Sequence, residues 1–255
     1  MAAVRYEAVG GIATVTLTRP EVRNALNVES ARELKAALAR AAVDASVRLV
    51  LVDAEGPAFC AGMDLKSVDL GDPTQAAAFA AALADVYEVL MEMAKPVLCA
   101  VDGPVSGGGV GLPAAADLVW VGPAAKFSLP ETRLGLAPAL VSVPLRRRVA
   151  DQELTRMALA GVALDAGQAV AAGLADFHAP TGAGVEARAF GEAFLRDRAP
   201  GASVRTKAFL GRHAADGVRT ELDEARRAFV EAVGTDEARR GLEAFRRKES
   251  VRWDA

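Results

Sequence analysis

Three consecutive glycines, Gly107 to Gly109, stand where an apolar segment gives way to a predicted helix. Without Cβ atoms the backbone can approach a ligand closely, and the first N–H groups of a helix have no partner within it. These N–H groups carry partial positive charge, so they could receive a developing oxyanion. The alternative is a tight turn that only lets a helix and a strand pack. The glycines alone leave both interpretations open.

A second loop, residues 58–66, also follows a short apolar run and contains Gly62. The two runs, residues 49–52 and 96–101, are predicted buried strands. Loops that follow parallel strands collect at the carboxyl edge of a sheet, where ligands bind. The two loops can therefore face one cavity.

Glu131 is a carboxylate in an otherwise apolar segment, residues 127–138, that is bounded by prolines and glycines. A single glutamate is commonly a surface residue. A glutamate that is desolvated in an apolar pocket has a raised pKa, however, and becomes an acid or base near neutral pH.

Several local patterns indicate the elements that must position these residues. Val4–Val9 and Ile12–Leu17 flank Gly10-Gly11, which predicts a β-hairpin. Asn27 is a candidate helix cap, and Asp72 opens a second, longer helix to about residue 94. A charge-rich helical region covers about residues 186–248. Strands and helices that alternate before a helical tail predict an α/β fold.

Composition limits the class of protein. The chain has 255 residues, is 52% hydrophobic and carries a net charge of −3, which argues against a nucleic-acid-binding protein. Cys60 and Cys99 have no metal-site spacing, so we expect two buried thiols in a reducing compartment. No apolar run suggests a membrane span, and the N-terminus lacks a signal peptide. We expect a cytoplasmic protein.

Taken together, these segments resemble the crotonase superfamily, the enoyl-CoA hydratase/isomerase family, over nearly the whole chain. The resemblance rests on the order and spacing of short motifs. These are Arg19-Pro20, Arg23-Asn24-Ala25-Leu26, Asp53-Ala54-Glu55-Gly56, the 59–66 loop, the Gly107–Gly109 turn, Leu129-Pro130-Glu131 with Gly135 and Pro138, Leu159-Ala160-Gly161, Ala172-Gly173-Leu174 and Phe245-Arg246-Arg247-Lys248.

The resemblance implies an α/β fold, a crotonase-like spiral of ββα units with a helical C-terminal trimerisation region. Residues 1–190 would form the core with the CoA-ester site, and residues 191–255 the helical region. It also implies a homotrimer or a hexamer made of two trimers. The substrate would be an acyl-CoA thioester. No metal and no further cofactor are implied, because coenzyme A is part of the substrate.

By position in the family pattern, the N–H groups of Met63 and Gly108 would form an oxyanion hole, and Glu131 would be the acid/base. Arg23, Ala25 and Ala61 would contact the pantetheine and adenine parts of CoA. Lys66 would reach the CoA phosphates. Phe245 and Lys248 match a C-terminal pair that reaches CoA, in the same or a neighbouring subunit. A solvated charge is the alternative for each lysine.

Two departures from the family pattern bear on the reaction. Typical hydratases carry a second glutamate two residues after the glycine triplet, and that position is Gly111. Other members carry an aspartate eight residues after the first glutamate, and that position is Ala139. A single glutamate suits a proton shuttle, so enoyl-CoA double-bond isomerisation is the expected reaction. Three alternatives stay open: hydration despite Gly111, another enolate enzyme such as a decarboxylase or hydrolase, and a non-catalytic CoA-ester-binding subunit.

The remaining polar residues have other expected roles. Glu88 and Glu92 lie one helical turn apart on the long helix, and either could supply the missing carboxylate, although a solvated face is the simpler expectation. We expect Asp64 and Asp117 to be structural. His178 and His213 lie outside all three motifs and are expected at the surface. The glycine turn is predicted to open a helix to about residue 117, and Pro113 removes one N–H early in this helix.

Overall fold

The computed structural model describes residues 2–68, 71–210 and 215–249. Nine strands are named in the described residues: β1 Val4–Val9, β2 Ile12–Leu17, β3 Leu49–Ala54, β4 Val97–Val101, β5 Pro104–Ser106, β6 Leu118–Val121, β7 Lys126–Ser128, β8 Leu164–Asp165 and β9 Phe177–His178. The α-helices are α1 Val28–Val43, α2 Pro73–Glu92, α3 Gly111–Ala115, α4 Ala139–Leu145, α5 Asp151–Ala158, α6 Ala166–Ala171, α7 Ala183–Asp197, α8 Pro200–Phe209, α9 Ala215–Val233 and α10 Asp236–Arg247. Three 3₁₀ turns cover Pro20–Val22, Gly107–Val110 and Glu131–Leu134.

The larger sheet has the strand order β1-β2-β3-β4-β6-β9. The predicted hairpin is confirmed, because β1 pairs antiparallel with β2 and Val9 faces Ile12. The remaining pairs, from β2–β3 to β6–β9, are parallel. The ends of β3 and β4 therefore lie at one edge, and the two predicted loops leave from there.

Both faces of this sheet are covered. Along β3, Val50 and Val52 pack into the main core, whereas Leu49 and Leu51 pack into a second cluster against α7. This alternation is the period of two that a strand imposes. Parallel strands with both faces buried read as continuous apolar runs, which explains the pattern in the sequence.

The predicted helix caps are present. The Asn27 side chain accepts the Ser30 N–H at 2.9 Å, and Ser30 Oγ accepts the Asn27 N–H at 2.9 Å. Asp72 accepts the Thr74 N–H at 2.8 Å at the start of α2. Each cap satisfies an N–H that has no partner inside the helix. The residues at which α1 and α2 begin are thus determined locally.

A second, smaller sheet has the order β5-β7-β8 and supports the two segments that the chain's chemistry needs. Strand β5 ends at the glycine turn, and β7 ends two residues before Pro130-Glu131. Their parallel register pairs Ser106 with Ser128. No sequence pattern predicts this small sheet, which sets the glycine turn beside the glutamate.

The helical C-terminal region is confirmed, with α8 to α10 following α7. Helix α7 packs on the large sheet through Ala183 and Ala187, and the predicted boundary after residue 190 falls within this helix. Helix α10 lies on the 3₁₀ turn that begins at Glu131. Gly241 there is so close to the backbone of Leu134 that a Cβ atom would overlap it.

Candidate active site

The loop after β3 is held by Leu26 so that the Met63 N–H points away from Leu26. Leu26 donates its N–H to Gly62 O at 2.7 Å, and Leu26 O accepts the Asp64 N–H at 2.8 Å. This is a parallel bridge between Leu26 and Met63. In such a bridge the central residue points its own N–H to the opposite side. The N–H of Met63 donates to no other described residue.

The loop that carries Met63 touches the glycine turn. Ser106 donates its N–H to Cys60 O at 2.9 Å, and Cys60 forms a bridge with Val105. Gly62 has a φ of +83°, and a Cβ atom there would lie 2.6 Å from Ser106 O. Only glycine permits this contact. The two loops predicted to face one cavity therefore pack directly against each other.

Gly108 is the second residue of the 3₁₀ turn Gly107–Val110. Its N–H is among those that have no partner within the turn, and it donates to no other described residue. Gly108 and Met63 both line the same cavity. Two unpaired N–H donors on adjoining loops are the arrangement that receives a developing negative charge.

Glu131 follows β7, the strand of the small sheet that pairs with β5, and lies beside the glycine turn. A Cβ atom on Gly107, which has a φ of +54°, would lie 3.1 Å from Glu131 Oε1. Glu131 Oε2 is buried and accepts no hydrogen bond from any described residue. Burial raises the pKa of the Glu131 carboxyl to about 7, because the apolar surroundings disfavour its charged form. It can therefore both accept and release a proton near neutral pH.

Tyr87 of α2 occupies the space beside Gly111. A Cβ atom on Gly111 would overlap the Tyr87 ring and hydroxyl group. Tyr87 is fully buried, and its hydroxyl donates a hydrogen bond to the carbonyl oxygen of Gly108. The family pattern predicts the missing carboxylate at residue 111, but no sequence pattern predicts that Tyr87 fills the space.

A cavity of about 1000 Å³ adjoins these groups. The described residues that line it include eight of the nine predicted site residues: Glu131, Met63, Gly108, Arg23, Ala25, Ala61, Lys66 and Phe245. Lys248 is exposed at the end of α10 and is not among them, so its contact with CoA stays a prediction. Glu249 and Arg133, which the motifs did not indicate, do line the cavity.

The sequence matches one family model, described as Enoyl-CoA hydratase/isomerase, over residues 7–255. The chain belongs to the enoyl-CoA hydratase/isomerase family. This confirms the crotonase resemblance, and the chain is an acyl-CoA enzyme of that family.

Individual relatives agree with the family match. A Thermus thermophilus protein, whose name places it among the enoyl-CoA hydratases, is 34% identical over 96% of this chain and 98% of its own. The trans-2-decenoyl-[acyl-carrier-protein] isomerase of Streptococcus mutans is 31% identical over 67% of each chain. The crystal structure of an enoyl-CoA hydratase from Mycobacterium avium covers 99% of both chains at 31% identity, with a TM-score of 0.84. The fold is therefore the crotonase fold.

In this family member, the Arg23–Leu26 motif forms a turn that the buried Asn24 side chain holds. Asn24 donates to Glu55 O and Ala58 O, both at 2.9 Å, and its Oδ1 accepts the Arg19 N–H at 2.8 Å. Arg23 in turn accepts the Ala61 N–H at 2.9 Å. Arg23, Ala25 and Ala61 are therefore set together at the cavity wall.

The inner wall of the cavity is apolar. Leu83 and Phe79 lie one turn apart on α2, and Leu83 Cδ2 would be 2.8 Å from a Cβ atom on Gly108. Phe79 packs against Phe229 of α9 with ring centroids 6.4 Å apart. An acyl chain that leaves the glycine turn along this wall would meet the two rings. Ala139 also lines the cavity, so no carboxylate enters from that position.

Neither glutamate of α2 is a cavity-lining residue. Glu88 forms an ion pair with Arg219, and Glu92 is exposed. Asp64 accepts the Lys66 N–H at 3.2 Å and lies 3.4 Å from an Arg19 guanidinium nitrogen, in keeping with a structural role.

Asp117 binds the Val97 N–H at 2.7 Å and Lys207 Nζ at 2.6 Å, again as a structural residue. His178 is exposed on β9, whereas His213 lies outside the described residues. Pro113 is buried in the first turn of α3, where a helix tolerates proline, and α3 is shorter than the predicted helix to residue 117.

The two cysteines are free and buried, as predicted. Burial raises the pKa of the Cys60 thiol to about 12, so this thiol is not a nucleophile at neutral pH.

Across the described ranges, no three His, Cys, Asp or Glu residues group as metal ligands would. No helix in the described residues is long and apolar enough to span a membrane.

Proposed function

We propose that this chain moves the double bond of an enoyl-CoA thioester between C3 and C2, with Glu131 as the proton shuttle. The observation that carries the proposal is the single carboxylate at the glycine turn. Of the carboxylates that line the cavity, Glu21 and Glu249 are exposed and Asp64 is near Arg19. Among them, Glu131 alone has a buried oxygen without a partner in the described residues and lies beside Gly107 of the turn.

The proposed reaction needs one base that becomes the acid. The Glu131 carboxylate removes a proton from C2 of a 3-enoyl-CoA, and the C–H electron pair moves into a dienolate whose charge lies on the thioester oxygen. Carbon C4 then takes the proton back from the Glu131 carboxyl group. The product is the 2-enoyl-CoA, and the carboxylate is restored. A pKa of about 7 matches both halves of this cycle.

The N–H groups of Met63 and Gly108 are proposed to bind the thioester oxygen. Charge on that oxygen grows as the dienolate forms, so both hydrogen bonds strengthen in the transition state. Arg23, Ala25, Ala61 and Lys66 would hold the CoA part at the cavity mouth, and Phe245 would cover it from α10. We propose a homotrimer or a pair of trimers as the assembly.

Hydration is the second candidate, because the Thermus thermophilus and Mycobacterium avium relatives are named as hydratases. Hydration needs one group to activate water and another to protonate C2. With Gly111 at the second position, Glu131 would have to serve both steps. The Streptococcus mutans relative, named as an isomerase, favours the proton shuttle.

The test is to incubate the protein with trans-3-enoyl-CoA and with trans-2-enoyl-CoA, and to repeat both with Glu131→Gln. We expect isomerisation by the wild type and a loss of at least about 100-fold in the variant, since general acid–base groups contribute 10²–10⁴-fold. Glu92→Gln is the matched control, because Glu92 is outside the cavity. Efficient hydration by the wild type would contradict the isomerase proposal. Binding of both substrates without turnover would indicate a non-catalytic subunit.

A further inference from the structure

Tyr87 is a buried polar residue that the proposed reaction has not used. It lies on α2 with 0% of its surface exposed, and it does not line the cavity. A buried phenol without a hydrogen-bond partner would be costly, and this one donates to the carbonyl oxygen of Gly108. The residue that supplies the proposed oxyanion donor is thus bound from behind by a side chain.

The Gly108 carbonyl has a second donor, the N–H of Gly111. A carbonyl oxygen has two lone pairs, so Tyr87 and Gly111 together satisfy it. The turn is consequently fixed on the side away from the cavity, whereas the Gly108 N–H has no described partner on the cavity side. An N–H donor helps catalysis only if its direction is set before charge develops, and this geometry sets it.

Tyr87 also takes the space that a side chain at residue 111 would need. A Cβ atom on Gly111 would overlap the Tyr87 hydroxyl and Cζ, and it would lie 2.5 Å from Cε1. The ring can occupy this place only because residue 111 is glycine. A glutamate at residue 111 and a tyrosine at residue 87 therefore exclude each other.

We propose that Tyr87 is a positioning residue for the oxyanion donor Gly108 and that, paired with Gly111, it replaces the second carboxylate of the glycine turn. This inference rests on the proposed oxyanion hole. It explains how the turn keeps its shape without the glutamate, and why the space behind it holds no second acid. Burial raises the pKa of Tyr87 well above its ordinary value, so the hydroxyl remains a donor across the working pH range.

The direct test measures how strongly the oxyanion hole polarises a bound thioester carbonyl. A cinnamoyl-CoA with an electron-donating ring substituent absorbs at longer wavelength when hydrogen bonds polarise its thioester carbonyl. We expect a red shift on binding to the wild type, and a smaller shift with Tyr87→Phe at equal saturation. Tyr6→Phe is the matched control, because Tyr6 is the only other tyrosine and lies on β1 beneath Arg40.

Kinetics provide the second reading. With whichever enoyl-CoA the wild type converts, Tyr87→Phe should lower kcat about tenfold, the value of one hydrogen bond, and leave KM unchanged. If Tyr87→Phe kept both the red shift and the kcat of the wild type, the Tyr87 inference alone would be overturned. No red shift in the wild type would overturn the oxyanion hole at Met63 and Gly108, and the Tyr87 inference with it.

The mutual exclusion of the Tyr87 ring and a side chain at residue 111 can be tested separately. In a helix, Gly→Ala normally stabilises, but Gly111→Ala should lower Tm by about 5 °C because it overpacks the Tyr87 ring. In a Tyr87→Leu background, which removes the ring, the same change should leave Tm unchanged or raise it. Equal effects of Gly111→Ala in the two backgrounds would show that the residues are independent and would overturn the pairing.

Discussion

A Cβ atom on Gly107 would lie 3.1 Å from Oε1 of Glu131, so the carboxylate borders the space that a side chain at residue 107 would need. Gly107 also has a φ of +54°, in the left-handed region. The first glycine of the triplet thus serves two purposes: it permits the turn, and it leaves room for the acid/base beside the turn.

Gly107→Ala should therefore lower kcat by about tenfold or more, because small displacements of a reacting group are costly, while binding of an acyl-CoA persists. Steady-state kinetics and titration with a saturated acyl-CoA would measure the two quantities. Gly10→Ala is the control, because Gly10 has a φ of +60° and a Cβ atom there would have no other atom within 4 Å. Both variants carry about 1–2 kcal/mol of left-handed strain. An equal loss of kcat in both would mean that strain, and not the carboxylate, is responsible.

The pKa of Glu131 predicts the pH dependence of the reaction. The base must be deprotonated in the free enzyme, so kcat/KM for a 3-enoyl-CoA should rise with pH and level off above about 7. A pH–rate profile between about pH 5 and pH 9 would show the midpoint. A midpoint near 4.5, the ordinary value for glutamate, would mean that the carboxyl is not desolvated in solution.

The same pKa predicts a loss of stability at higher pH. The folded protein retains the Glu131 proton up to about pH 7, whereas the unfolded chain releases it near 4.5. The folded state binds more protons in that window, so this contribution to the free energy of unfolding falls as pH rises from about 4.5 to about 7. The total is on the order of 3 kcal/mol.

Glu131→Gln removes this titration. Its free energy of unfolding should exceed that of the wild type at pH 8, and the difference should vanish near pH 4. Urea titrations at both values would measure it. A difference that is independent of pH would assign the effect to packing and not to ionisation.

Local chemistry explains which parts of the fold could be predicted from the sequence. The hairpin at Gly10-Gly11 and the helices that begin after Asn27 and Asp72 are confirmed, because each depends on residues only a few positions apart. The paired loops around Met63 and Gly108 follow from their places after buried strands. The strands of the small sheet have only two or three residues, too few for any periodicity to show.

The parts that escaped prediction depend on residues far apart in the chain. Tyr87 and Gly111 are separated by 24 positions, and no local pattern relates a tyrosine in an Ala-rich helix to a glycine turn. Glu249 and Arg133 line the cavity because α10 packs on the turn that carries Glu131. A weak signal existed for Tyr87, since it lies four residues after Leu83 and shares its helix face.

The packing of α10 predicts that Gly241, which lines the cavity but lies far from Glu131 along the chain, affects the site. Gly241 lies inside α10, where alanine suits the backbone, yet a Cβ atom there would overlap the backbone of Leu134. Gly241→Ala should push α10 away from the Glu131 turn and raise KM for the CoA substrate about tenfold, since it moves Phe245. Gly217→Ala in α9 is the control, with its nearest contact at 3.8 Å. If both variants kept the wild-type KM, α10 would not belong to the substrate site.

We expect Phe79 and Phe229 to limit the length of the acyl chain that the cavity accepts. Both rings line the cavity, and Phe79 lies one turn of α2 beyond Leu83, which contacts the glycine turn. Phe229→Leu opens space at this end. It should raise kcat/KM for longer acyl chains relative to short ones, by up to roughly fourfold per methylene, since burial of one methylene contributes about 0.8 kcal/mol. Rates with a series of 3-enoyl-CoA substrates of increasing length would measure the change.

The control for this prediction is Phe194→Leu. Phe194 forms a similar tilted pair with Phe190, with centroids 6.1 Å apart, but it packs against the opposite face of the large sheet. Both variants lose a partly or fully buried ring, so both should lose some stability. Only Phe229→Leu should change the length preference, because only its ring faces the cavity. A length preference that stays the same in Phe229→Leu would place the acyl chain along another wall, and Leu140 and Val141 of α4 would then be the residues to change.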